Sequence, residues 1–266
     1  MTDAAPRNRA KSKLAANELV LCMGLRQART ADIAQIAGAC GFDSVYIDLE
    51  HSPLSLETTS TLCIGALGAG ITPMVRVPGH DVHMATRILD GGALGVIFPQ
   101  VNTAEQARAL VTGCRFPPLG QRSVMGSGPA FGYRELPLGE VNATLNADTM
   151  LIVMLEAAEG IANAEAIAAI PGIDMLLIGA NDLSTALGVP GEFRHPRMRQ
   201  AFEATATACK KNNKVLGIGG IRSDLELQTE IYRMGGTFII AGHDVSYLQS
   251  AACGDAKTLR AMAEKA

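Results

Sequence analysis

One pattern recurs along the chain: a short apolar run, then a segment in which apolar residues return every three or four positions. Eight such runs occupy residues 19–24, 44–50, 72–77, 95–101, 149–156, 174–180, 215–220 and 237–242. None alternates strictly, which is the signature of strands buried on both faces, as in a parallel sheet. Between most of them lie amphipathic stretches such as ADIAQIAGACG, VHMATRILDGG and LELQTEIYRMGG. Eight strand and helix units within about 250 residues predict a (β/α)8 TIM barrel, because doubly wound sheets more often stop at five to seven strands. The expected organisation is one barrel domain over residues 1–266. It has a flexible N-terminal segment over 1–16 and, over 245–266, a C-terminal helical extension that docks on a neighbouring subunit. Glycines before the strands (Gly41, Gly70, Gly91, Gly92, Gly172, Gly235, Gly236) read as helix C-terminal caps. Residues 121–148, long and polar with no strand pattern, read as an active-site cover.

Charge narrows the class of partner. With 23 basic and 26 acidic residues and no block of like sign, the chain has no surface suited to nucleic acid or an anionic membrane. A small molecule is the expected ligand. Six cysteines lie far apart with no CxxC pair, so they read as reduced thiols and point to the cytoplasm. No secretory signal is visible, and no apolar run approaches the ~20 residues needed to cross a bilayer.

Barrel chemistry sits at the C-terminal ends of strands. The polar residues there are Arg26, Asp48, Glu50, His51, Arg76, Gln100, Glu156, Asn181 and Asp182. Glu156 and Asp182 form an oxygen-only pair suited to a hard divalent cation, Mg²⁺ or Mn²⁺; they also suit ordinary helix capping. His51 reads as an acid/base residue or a capping histidine, with Asp48 or Asp90 able to orient its ring. Arg76, inside an apolar strand, requires an anionic partner, either a protein carboxylate or the substrate. A Schiff-base mechanism needs a lysine at a strand's C-terminal end, and none of the seven lysines occupies one. His243 and the other remaining histidines read as surface or capping residues.

The segments IDLEHSP, MVRVP, LDGGALGVIFPQV with RFPPLGQRS, MLEAAEGIANAEAIAAIPGID and IGANDLS, in that order, resemble the metal-dependent class II aldolases of 2-oxo acids. That family is typified by 4-hydroxy-2-oxoheptanedioate and 2-dehydro-3-deoxyglucarate aldolases. The resemblance implies that Glu156 and Asp182 are metal ligands, that Arg76 binds the 2-oxo acid, and that His51 is the acid/base residue supported by Asp48 or Asp90. It implies a carbon–carbon lyase that cleaves a 4-hydroxy-2-oxo acid to pyruvate or a close analogue and an aldehyde, using Mg²⁺ or Mn²⁺, with Co²⁺ also suitable. It further implies a homo-oligomer, a hexamer in the family. The backbone at Gly179, Ala180 and Asn181 is expected to hold the substrate carboxylate.

Three departures bear on substrate. Arg26 stands where similar enzymes commonly carry Trp, Met154 where they carry Gln, and Ala180 where they carry Pro. Arg26 is therefore a further candidate for substrate binding, toward a distal anionic or polyhydroxylated group. The alternatives within the superfamily are oxaloacetate decarboxylation of the macrophomate synthase type and CoA-thioester lysis. The alternative outside catalysis is an inactive barrel that binds a 2-oxo acid.

Overall fold

The computed structural model describes residues 8–264. Its eight strands are β1 (Val20–Leu25), β2 (Ser44–Asp48), β3 (Thr72–Arg76), β4 (Gly95–Phe98), β5 (Met150–Leu155), β6 (Met175–Gly179), β7 (Val215–Gly219) and β8 (Gly236–His243). All pair in parallel with their sequence neighbours, and β8 pairs with β1 to close the barrel. The expected (β/α)8 architecture is therefore observed. β4 ends three residues early because Pro99 follows it and Gln100 turns into the left-handed region at φ 56°.

Among the described residues twelve α-helices flank the strands: α1 (Arg9–Ala15), α2 (Asp32–Ala39), α3 (Leu56–Gly68), α4 (Val82–Asp90), α5 (Ala104–Cys114), α6 (Leu138–Asp148), α7 (Ala158–Ala162), α8 (Ala164–Ala168), α9 (Ala180–Ala186), α10 (Pro196–Lys211), α11 (Leu225–Arg233) and α12 (Asp244–Ala263). Alternate strand residues serve two cores. Leu151, Val153 and Leu155 of β5 pack outward against the helices, whereas Met150, Ile152 and Met154 fill the barrel with Tyr46, Met74, Ile97, Met175, Leu177 and Phe238. Gly41, Gly70, Gly92, Gly172 and Gly235 take positive φ before their strands, as expected of caps; Gly91 and Gly236 do not.

Two expectations need correction. Residues 9–15 are not a loose tail: α1 plugs the N-terminal end of the barrel with Ala10 and Leu14. Asn8 fixes it there by donating from Nδ2 to the carbonyls of Leu94 and Asp148 and accepting at Oδ1 from Lys11 N–H. The earlier residues of the expected flexible segment, 1–7, lie outside the described residues. Residues 121–148 do not cover the C-terminal mouth. They start at Arg122, which bonds Asp90 at 2.7 Å at the end of α4, and they pass Gly92 before forming α6. This is the N-terminal face. α6 escaped the sequence pattern because it buries only Val141. The C-terminal extension is a helix of 20 residues with no buried side chain.

Candidate active site

Side-chain parity carries the barrel interior up to its mouth. After Met150, Ile152 and Met154 the next inward position is Glu156; Tyr46 leads to Asp48, Met74 to Arg76, and Cys22 and Gly24 to Arg26. Arg26, Arg76 and Glu156, together with His51, Asp182 and His243, surround a cavity of ≈ 290 Å³ at the C-terminal ends of the strands. Gly179, Ala180 and Asn181 line it as well.

Asp48 is fully buried and organises one wall. It accepts hydrogen bonds from Arg76 Nε (3.0 Å) and Nη2 (2.8 Å), from Arg26 Nε (2.8 Å), and from the backbone N–H groups of Glu50 and His51. Burial pushes its carboxyl upward, but Arg76 and then Arg26 outweigh that and hold it at about 2. Arg76 Nη1 completes the set on Glu50 Oε2 at 2.8 Å, and the guanidinium lies 5.4 Å from the Tyr46 ring centre. The anionic partner that Arg76 requires is thus supplied by the protein.

The opposite wall carries the carboxylate pair. Glu156 is 3% exposed, accepts the Gln100 N–H at 3.0 Å, and lies against Gly179, where a Cβ would stand 2.5 Å from Oε1. Only glycine leaves room for this carboxylate. Burial, and secondarily the charge of Asp182, push Glu156 up to about 7. Neither carboxylate has an ion-pair partner among the described residues, and no set of three or more metal-ligating side chains converges there. The donor set is two oxygens beside an open cavity, which fits a hard divalent cation that keeps water or substrate oxygens in its other positions.

His51 lines the cavity with its side chain half-exposed, and Nε2 stands 4.0 Å from Glu50 Oε2. Neither expected carboxylate orients its ring. Asp48 accepts from the His51 backbone, and Asp90 lies on the far face bonded to Arg122. The C-terminus of a crossover helix returns to the bottom of the barrel, which is why a residue at the end of α4 cannot meet a strand-end histidine of its own chain.

His243 is the residue that sequence reasoning set aside. Its ring lines the cavity, packs edge-on to Tyr46, and fits only because Gly24 lacks a Cβ. Burial, aided by Arg26, lowers its pKa to about 4. The only sequence signal was its place at the end of the last strand. Lys214, which precedes β7, donates to the Ile173 carbonyl at the N-terminal face, away from the cavity.

Comparison with known proteins agrees with this geometry. Residues 24–251 match the family model described as HpcH/HpaI aldolase/citrate lyase. The chain is 42% identical over 248 residues to a 4-hydroxy-4-methyl-2-oxoglutarate aldolase of Chaetomium globosum, with 92% of each chain covered. It is 36% identical over 224 residues to a hydroxypyruvate/pyruvate aldolase of Chromohalobacter salexigens, with 84% of this chain and 87% of that one covered. The crystal structure of an HpcH/HpaI aldolase from Desulfitobacterium hafniense superposes with a TM-score of 0.89 at 28% identity, covering 94% and 96% of the two chains. With barrel, strand-end charges and sequence in agreement, this chain belongs to the HpcH/HpaI aldolase/citrate lyase family.

Proposed function

We propose that the protein is a divalent-metal-dependent aldolase that reversibly cleaves a 4-hydroxy-2-oxo acid to pyruvate, or a close analogue such as hydroxypyruvate, and an aldehyde. The observation that carries this reading is the Glu156 and Asp182 pair, two carboxylates at adjacent strand ends with no protein cation bonded to either among the described residues. Mg²⁺, Mn²⁺ or Co²⁺ held there would supply the positive charge that draws electrons toward the 2-oxo group.

The chain's own groups do the rest. Arg76, clamped by Asp48 and Glu50, places a fixed positive charge beside the enolate that forms at C2–C3. His51, at the water-accessible edge of the cavity, removes the C4 hydroxyl proton directly or through water as the C3–C4 bond breaks. The backbone of Gly179, Ala180 and Asn181 receives the C1 carboxylate.

An exposed α12 bearing Leu248, Leu259 and Met262 supports assembly into a homo-oligomer, with the hexamer of the resemblance as the expected state. Six free cysteines support residence in the reducing cytoplasm. No helix among the described residues is long and apolar enough to cross a membrane. The test is pyruvate release from 4-hydroxy-2-oxo acids by chelated enzyme, with each cation then restored. Activity only after restoration supports the reading; undiminished activity in chelated, dialysed enzyme overturns it.

A further inference from the structure

A second cavity, of ≈ 470 Å³, lies at the opposite end of the barrel, between α1 and the starts of β5, β6 and β7. It is larger than the cavity at the mouth, and the aldolase reading makes no use of it.

The charge around it is unbalanced. Asp174, just before β6, is already shared by two cations: Lys11 Nζ lies 2.8 Å from Oδ1 and Arg115 Nη2 2.5 Å from Oδ2. The Leu151 backbone N–H also donates to Oδ2, at 2.8 Å. Lys214 is a third cation on this wall. Its Nζ donates to the Ile173 carbonyl at 2.8 Å and has no carboxylate bonded to it among the described residues. Burial lowers the Lys214 pKa; Asp174 raises it, and Arg115 and Lys11 act against Asp174.

Donors are left over as well. An ammonium carries three N–H groups; Lys11 directs its own at Asp174 and the Thr149 carbonyl, and Lys214 uses one. Beside the two lysines the lining is apolar, with Leu14 from α1, Met150 opening β5, Ile173, and Val215 opening β7. Half-buried ammonium groups in excess of carboxylate, bordering an apolar wall, are complementary to a molecule with an anionic head and a hydrocarbon body.

We propose that this cavity binds a small organic anion, a carboxylate or a phosphate monoester, with its head held by Lys11 and Lys214 and its aliphatic part against Leu14, Met150, Ile173 and Val215. The site is separate from the mouth of the barrel, where Glu156 and Asp182 stand at the other ends of β5 and β6, and it does not depend on the aldolase reading.

The test is calorimetric titration of hexanoate, hexyl phosphate, acetate and 1-hexanol into the full-length chelated enzyme. Hexanoate or hexyl phosphate should bind at one site per chain, at least about tenfold more tightly than 1-hexanol, which lacks the charge, and acetate, which lacks the chain. The tighter of the two anions identifies the head group. Lys214→Gln, which keeps a donor for the Ile173 carbonyl, should weaken that binding by about tenfold or more, and Lys214→Arg should retain most of it. Lys11→Gln should also weaken it and serves if Lys214→Gln does not fold. Saturating pyruvate with Mn²⁺ should leave the binding unchanged. Equal affinity for the six-carbon anions and either control, wild-type affinity in Lys214→Gln, or displacement by pyruvate overturns the site.

Discussion

Asp48 and Arg76 are joined by two hydrogen bonds, at 3.0 and 2.8 Å, in a barrel interior where Asp48 has no exposure and Arg76 only 4%. The pair is paired in the sheet as well, since Asp48 of β2 is in register with Arg76 of β3. A buried ion pair of this kind costs desolvation whether or not substrate is present, and removing one member strands the other.

Asp48→Asn should therefore destabilise the protein by on the order of 3 kcal/mol, because Arg76 keeps only Glu50 as a full counter-charge. Urea unfolding at neutral pH measures this. A change within experimental error would show that the pair does not anchor the wall.

Acidification should act on stability through three groups of the site, two of them opposed. His243 binds its proton less readily when folded, about 4 against 6.5, so unfolding takes up a proton in that window and stability drops as pH falls from 6.5 toward 4. Asp48, held at about 2 against 3.8, contributes stability that is lost as pH falls below 3.8. Glu156, raised to about 7 against 4.5, acts with the opposite sign and gains stability as pH falls from 7 toward 4.5, offsetting the His243 loss. Melting temperatures of Glu156→Gln should therefore expose the His243 loss, adding His243→Gln should remove it, and the Asp48 loss should begin below pH 3.8 in all of them.

Gly179→Ala should impair the site without unfolding the barrel. The added methyl would stand 2.5 Å from Glu156 Oε1, while Gly179 has φ −89°, a value any residue adopts. The expected result is a large loss of Mn²⁺ affinity with an unchanged circular dichroism spectrum. Wild-type affinity would mean that Glu156 does not need its present position.

His51→Ala should slow cleavage by roughly 10²- to 10⁴-fold, the usual contribution of a positioned acid/base group, with metal affinity unchanged. A near wild-type rate would reassign the base.

Much of this was legible in the chain. The eight apolar runs mark the strands, and two-residue parity along them leads to Arg26, Asp48, Arg76 and Glu156 as inward-facing strand ends. Other features depend on contacts that no local pattern encodes. Asp244 caps the loop at Arg26 across the β1 and β8 seam, 218 residues away, and His243 acquires its setting from Gly24 and Tyr46. α1 is held by side-chain bonds of Asn8 to distant carbonyls rather than by a long apolar face. Asp90 ends α4 beside Arg122 on the N-terminal face, and its sequence neighbourhood reveals nothing of that face.

The central claim is that Glu156 and Asp182 together hold the cation the reaction needs. Its most direct test is calorimetric titration of Mn²⁺ into chelated wild type, Glu156→Gln and Asp182→Asn. The account predicts one site per chain in the wild type and no measurable binding in either variant, with both variants folded. Wild-type Mn²⁺ affinity in either variant would contradict it.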